Sequence, residues 1–207
     1  MSLRLHNSLS DQKEDFVPLR EGRVTLYVCG PTVYNDSHLG HAKTYVSFDV
    51  ILRYLKYRGF STFYVQNITD VGHLMGDADE GEDKMLKRAR ELELEPMAVA
   101  ETYTTRHFQA MDRMGVIRPD ICPRATGHIP EQLEAIEKMI EAGLAYEVNG
   151  SVYFDVSKDP EYGKLSNRSF EEMQEGARVE VRQEKRNPQD FAPVSYTHLR
   201  AHETYRD

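Results

Sequence analysis

The sequence has no tryptophan, only two cysteines, no net positive charge and no long apolar run among its 207 residues. Three of these scarcities each close a class. No stretch approaches the roughly 20 apolar residues that a membrane-spanning helix needs, and the opening MSLRLHNSLSDQKEDF has no signal-peptide core. A cytosolic protein is therefore expected. Cys29 and Cys122 are too few for a disulfide framework, so each thiol is judged by its own surroundings. The net charge of −8 argues against indiscriminate nucleic-acid binding, which depends on a basic surface. The locally basic runs KRARELE and RVEVRQEKR read as solvated faces rather than footprints. What remains, 40% hydrophobic and 29% charged, is the composition of an ordinary globular protein with a core in one or two domains.

The strongest pattern lies over residues 23–49, RVTLYVCGPTVYNDSHLGHAKTYVSFD. RVTLYVC reads as a buried strand, GPTVYNDS as a turn-rich loop, and HLGH as the start of a long amphipathic helix. A helix start offers unpaired N–H groups and the positive end of the macrodipole, both suited to phosphate. Asp36 or Ser37 is expected to cap it. His38 and His41, three apart, project from one face of the first turn. Gly40 between them lets a flat adenine or ribose lie against the backbone. A bare His-x-Gly-His match is as readily chance as function, so the surrounding chain decides.

The helix is expected from 38 to about 58, with Tyr45, Phe48, Ile51, Leu52 and Leu55 inward and Gly59 as its stop. A second strand follows over 61–66. Strand, helix and strand in succession make a βαβ unit, hence a parallel sheet whose ligands belong at the strand C-termini, where Cys29 and Asn67 lie. Asn67, Thr69 and Asp70 emerge at that edge, although local turn capping explains them as well. Residues 72–83 read as a mobile acidic loop without calcium-loop spacing. Helices are expected over 84–94 and 97–114, the second burying Val99, Tyr103, Phe108, Met111 and Met114. IRPDICPRATGHIP reads as a boundary loop holding Cys122 as an ordinary thiol. A helix over 131–142, a hairpin over 144–156 around Asn149-Gly150, a loop over 159–167 and a short helix over 169–175 complete an α+β segment.

VCGPTVYNDSHLGH resembles the class I aminoacyl-tRNA synthetase signature, with His38, Leu39, Gly40 and His41 as its four-residue element. Residues 27–34, YVCGPTVY, are similar to cysteinyl-tRNA synthetases in particular. FDVILRYLKYRGF, NITDV, GEDKM, RPD, PRAT, GARVEV and KRNPQDFA follow in that family's order, to about residue 192. Several separated motifs in one order make chance untenable. The resemblance implies an α/β fold. Residues 1–118 would form the first half of a Rossmann-like catalytic domain with a parallel sheet. Residues 119–192 would form a connective-peptide insertion and the start of the return. Residues 193–207 form a tail foreign to the family, read as a cloning, sequencing or assembly artefact. The family continues into a tryptophan-bearing strand and a second half, so the chain reads as an N-terminal fragment, with an exposed sheet edge that predicts poor solubility.

By the same resemblance, the implied function is ATP-dependent activation of cysteine to cysteinyl-adenylate and its transfer to tRNA(Cys). His38 and His41 are the implied catalytic pair. Tyr34, His38, Gly40 and His41 would bind ATP, taken with Mg2+. Cys29, Gly30, Thr32 and Thr69 would bind L-cysteine, with Thr69 preferred to Asp70. Cys29 would also be one ligand of a zinc ion that meets the substrate thiolate and so rejects serine. The family's other ligands, a cysteine, a histidine and a glutamate, lie in the half beyond the resemblance. His198, His202 and Glu203 have metal-ligand spacing in the tail, but chance is the better reading there. The family's Lys-Met-Ser-Lys-Ser loop does not occur, so the chain carries half a catalytic site and is expected to be inactive alone. No membrane partner is implied, and a monomer is expected. Two alternatives stay open: a non-catalytic module binding a nucleotide or a tRNA end, and an ATP-dependent ligase joining cysteine to an amino sugar. The connective segment and KRNPQDFA favour the synthetase.

Overall fold

A computed structural model describes residues 3–71, 84–166 and 185–194. The described residues divide into two compact units, one of 3–16, 130–166 and 185–194, the other of 17–71 and 84–129. The expectations for 72–83 and 169–175, the GARVEV motif and the tail histidines lie outside the described residues.

The chain opens with an antiparallel hairpin of β1 (Arg4–Asn7) and β2 (Gln12–Asp15), turned at Asp11 with φ of 54°. The second unit then begins with β3 (Arg23–Val28), α1 (Leu39–Tyr57) and β4 (Ser61–Gln66). β3 and β4 pair in parallel from Arg23 opposite Ser61 to Val28 opposite Gln66, as the strand–helix–strand order implies. The helix buries Tyr45, Leu52 and Leu55, the first two in a cluster with Val28, Tyr64, Met111 and Val116. Gly59, at φ of 86°, ends it where a Cβ would be strained. α2 (Lys84–Leu92) and α3 (Pro96–Arg113) follow, and Val99, Ala100 and Tyr103 of α3 form a second cluster with Val33, Ile68, Met85 and Ala89. Met114, expected inside, is 42% exposed because α3 stops one residue before it.

The stretch 120–125, expected as a plain boundary loop, runs along β4 as an irregular third parallel ribbon. Val65 bridges Ile121 and Ile68 bridges Arg124. Gln66 N donates to Ile121 O at 3.1 Å, Ile68 N to Pro123 O at 2.8 Å, and Ala125 N to Ile68 O at 3.1 Å. Pro123 lacks a donor but still accepts, which is how a proline sits at a sheet edge. Asp70, 3% exposed, ties this ribbon down: it accepts from Thr126 N at 3.0 Å and from Thr126 Oγ1 at 2.6 Å, with Arg124 Nη1 at 3.9 Å.

In the first unit, α4 (Ile129–Glu141) leads into an antiparallel sheet of β5 (Ala145–Val148), β6 (Ser151–Phe154) and β7 (Phe191–Val194), in that order. Asn149 and Gly150 have φ of 52° and 78°, both positive as a two-residue primed turn demands. Buried Asp190 accepts from Tyr146 Oη at 2.7 Å, Asn187 N at 3.0 Å and Val156 N at 3.1 Å. One carboxylate thus folds the KRNPQD segment back onto the hairpin.

Replacing Asp70 by alanine leaves the half-buried Thr126 N–H and hydroxyl without their acceptor, while Arg124 keeps Glu101 at 2.8 Å. A loss of about 2–3 kcal/mol in unfolding free energy is expected, measurable by urea titration followed by circular dichroism.

Candidate functional site

β3 and β4 are parallel neighbours, so their C-terminal extensions open at one edge. Residues beyond the strands stay paired: Thr32 bridges Thr69, Thr69 N donates to Pro31 O at 3.1 Å, and Val33 N to Thr69 O at 3.2 Å. Gly30 sits where the two extensions are closest. A Cβ added there would lie 1.5 Å from the Asn67 carbonyl oxygen, so only glycine permits this approach. The Asn67 carboxamide fills the same gap. Its Oδ1 accepts from Gly30 N at 2.7 Å and Tyr27 Oη at 2.9 Å, while Nδ2 donates to Thr69 Oγ1 at 3.1 Å. Cys29, on the opening of this edge, is exposed. Its carbonyl accepts from Tyr45 Oη at 3.2 Å. Burial pushes the Tyr45 phenol up to about 12, so that donor keeps its proton. Cys29, Gly30, Thr32 and Thr69 therefore stand together on one sheet edge, and Asp70 turns inward to its structural partners.

The helix start differs from expectation. Neither Asp36 nor Ser37 caps α1: Asp36 pairs with Arg106 of α3 at 3.2 Å, and Ser37 Oγ lies 2.8 Å from His107 Nδ1. His38 is the cap, its Nδ1 accepting from Gly40 N at 3.1 Å, and His38 N donates to His41 Nδ1 at 3.2 Å. This reciprocal box fixes the chemistry of both rings. Each Nδ1 is an acceptor and carries no proton, so each neutral ring holds its proton on Nε2 and offers one N–H outward. Burial, and then the neighbouring His38, lowers His41 below the ordinary imidazole range, which keeps that ring neutral near pH 7. Gly40 is exposed and bordered by the His38 ring: an added Cβ would meet His38 Cε1 at 2.9 Å and Nδ1 at 3.0 Å. Tyr34 packs against the Val33–Ile68 cluster with Lys84 Nζ 5.4 Å from its ring centroid, and with Asn35, Lys84, Lys87, Arg88 and Glu91 it lines a cavity of about 220 Å³.

One contributor carries no motif. His107 of α3 is 2% exposed, packs edge-on against Tyr45 at 5.2 Å and against His41 at 6.4 Å, and its Nε2 has no partner among the described residues. Burial, then His41, pushes it down to about 4. The run Val99, Tyr103, His107, Met111 at every fourth residue is the signal that placed it on the buried face of α3.

A metal site is not assembled here. Cys29 is the thiol at the sheet edge, and among the described residues no three His, Cys, Asp or Glu side chains group so as to hold an ion. Cys122 is half-buried, and burial raises its thiol, as in an inert structural cysteine.

The family model described as tRNA synthetases class I (C) catalytic domain matches residues 15–198. The cysteine–tRNA ligase of Chlorobaculum tepidum is 58% identical over 196 residues, covering 92% of this chain and 40% of that protein. One from Thermus thermophilus is 56% identical over 192 residues, with 93% and 40% covered. The chain thus spans about 40% of the length of the curated relatives it matches. Among solved structures, the LeuRS of Agrobacterium radiobacter K84, in a ternary complex with tRNA and LeuAMS, aligns with a TM-score of 0.50 at 19% identity, over 70% of this chain and 18% of its own. That likeness is one of fold.

Gly30→Ala forces the strand extensions apart, and a loss at or above the roughly 3 kcal/mol typical of overpacking is expected in thermal unfolding. Acid should also weaken the fold. An unfolded imidazole binds a proton near 6.5, whereas His107 resists until about 4, so the unfolded chain takes up more protons as pH falls through that window. Stability is expected to decline from about pH 6.5 toward 4, and His107→Asn should flatten the slope relative to the unsubstituted chain.

Proposed function

Because the chain belongs to the family of class I (C) tRNA synthetase catalytic domains, we propose that it supplies the ATP- and cysteine-binding corner of a cysteine–tRNA ligase acting in the cytoplasm. The observation that carries this reading is the juxtaposition of a strand end bearing Cys29 and Gly30 with a helix start bearing two outward Nε2–H donors. In the proposed reaction a carboxylate oxygen of L-cysteine attacks the α-phosphorus of ATP, taken with Mg2+. The bond from that phosphorus to the bridging oxygen breaks, pyrophosphate leaves, and cysteinyl-adenylate remains. A ribose hydroxyl of the terminal nucleotide of tRNA(Cys) then takes the cysteinyl group and AMP leaves.

The negative charge grows on the phosphoryl oxygens, and His38 and His41 are the catalytic donors offered to it. Because their Nδ1 atoms are already engaged, the Nε2–H groups need no reorganisation when the charge appears. Gly40 and Tyr34 complete the nucleotide side. On the cysteine side, Gly30, Thr32 and Thr69 line the edge that the Asn67 clamp holds, and Cys29 presents its thiol there. The resident zinc does not fit the described residues alone, since Cys29 would be a single ligand. Residues 119–192 serve in this reading as a connective insertion and the start of the return to the catalytic domain, and the working form is a monomer.

This polypeptide by itself is expected to bind ATP without running the exchange, because the sequence contains no Lys-Met-Ser-Lys-Ser element. ATP binding by calorimetry should weaken by roughly tenfold in His38→Ala and in His41→Ala, about the effect of one lost hydrogen bond. Cysteine-dependent ATP–pyrophosphate exchange should stay at background. Unchanged ATP binding in both variants would remove the histidines from the site, and robust exchange would show that the 207 residues suffice.

A further inference from the structure

We infer that the cavity between the Tyr34–Asn35 turn and α2 is a phosphate-binding subsite, with Lys84 and Lys87 as its cationic donors. The inference does not rest on the nucleotide reading above, with which it shares one residue, Tyr34, as a wall.

The run KRARELE, expected from the sequence to be a solvated face, is only partly one. Lys84, Lys87, Arg88 and Glu91 recur at the i, i+3, i+4 and i+7 spacing of a single helical face, while Met85 and Ala89 of the same helix are buried in the core. That polar face lies against the chain: with Tyr34 and Asn35 it lines a cavity of about 220 Å³. A whole drug-sized ligand takes roughly 300–1,000 Å³, so the space suits one charged group.

The charges lining it do not cancel. Arg88 is committed, its Nη1 donating to Glu91 Oε2 at 2.9 Å and its Nε and Nη2 to Tyr103 Oη at 3.1 and 2.9 Å. That pairing uses the one carboxylate in the lining. Asp36, next along the turn, is held by Arg106 at 3.2 Å. Lys84 and Lys87 are left with no carboxylate in ion-pair reach among the described residues. Lys84 is half-buried, with its Nζ 5.4 Å from the centroid of the Tyr34 ring. A cation drawn partly out of water, with like charges at i+3 and i+4 and no counter-ion, is an unfavourable arrangement that a bound anion relieves.

The neutral groups of the lining agree with this. Asn35 Oδ1 already accepts from Asp36 N at 2.9 Å, which leaves the Nδ2 donor, and the Tyr34 hydroxyl has no hydrogen-bond partner among the described residues. Two ammonium groups, an amide N–H and a hydroxyl are thus uncommitted. Donors outnumber acceptors, and phosphoryl oxygens are the acceptors that such a set recognises. Lysine reads charge rather than planar shape, so a polyphosphate and the phosphodiester of an RNA strand present the same chemistry to the cavity.

Two probes, inorganic pyrophosphate and a short single-stranded RNA oligonucleotide, test the subsite by titration against the complete 207-residue chain. Binding of at least one should weaken by roughly three- to tenfold in Lys87→Ala, as one lost contact to a charged group implies. Lys87→Arg should retain it, and so should Arg90→Ala, which removes the same charge from the same helix outside the cavity. Lys87 is exposed and makes no contact that holds the fold; Lys84→Met, which keeps the side-chain stem, should show the same loss at an unchanged melting temperature. A loss confined to pyrophosphate identifies a polyphosphate as the occupant. A loss confined to RNA identifies a backbone phosphate, and the slope of log affinity against log salt should then fall by about 0.7 per lysine removed. Both probes binding Lys87→Ala and Lys84→Met as tightly as the unsubstituted chain would overturn the inference. So would an equal loss in Arg90→Ala, which marks unspecific attraction, or the failure of both probes to bind. ATP binding that weakens in His38→Ala while Lys87→Ala loses neither probe sinks this inference and spares the nucleotide reading; absent ATP binding with the Lys87→Ala loss intact does the reverse.

Discussion

Everything at the sheet edge depends on the closeness of Gly30 to Asn67. With a Cβ excluded from the 1.5 Å gap, the backbone N–H of Gly30 reaches the Asn67 side chain, and Tyr27 and Thr69 close on the same carboxamide. One planar group with two lone pairs and two protons is enough to hold the ends of β3 and β4 together after their regular ladder has stopped. The clamp fixes where Cys29, Thr32 and Thr69 stand, and the parallel bridge between Thr32 and Thr69 continues the strands toward Val33 and the core. The buried Asp70, three residues along, does for the 120–125 ribbon what Asn67 does for the first loop.

Much of the scaffold was legible in the sequence. The strand over RVTLYV, the inward face of Tyr45, Leu52 and Leu55, and the β-branched run over 61–66 were readable, and the βαβ unit follows from their order, although β3, expected buried, exposes Arg23, Thr25 and Tyr27. Asn149-Gly150 announced its hairpin because only such residues tolerate two positive φ angles. The ribbon over 120–125 was hidden by Pro123 within it and Pro119 just before it. Its pairing uses carbonyls and an aspartate side chain, Asp120 accepting from Tyr64 N at 2.7 Å, in place of a regular ladder.

The helix start shows a different limit. Asp and Ser are the preferred caps on local grounds, yet both were drawn away by residues about 70 positions distant, Asp36 to Arg106 and Ser37 to His107. Local preference lost to tertiary partners, and a histidine took the cap. No spacing rule links residue 37 to residue 107, so the pair became visible only once α3 was laid against α1. The likeness to cysteine–tRNA ligases carried the functional reading further than spacing could, because it joined Cys29, His38 and His41 in one order.

The ring of His38 lies over Gly40, while Leu39 between them is 85% exposed. Histidine and glycine are thus one mechanical part: enlarging the second displaces the first, and with it the cap of α1. The leucine touches neither role. The turn thus holds three residues that depend on one another, His38, Gly40 and His41, around one that faces solvent.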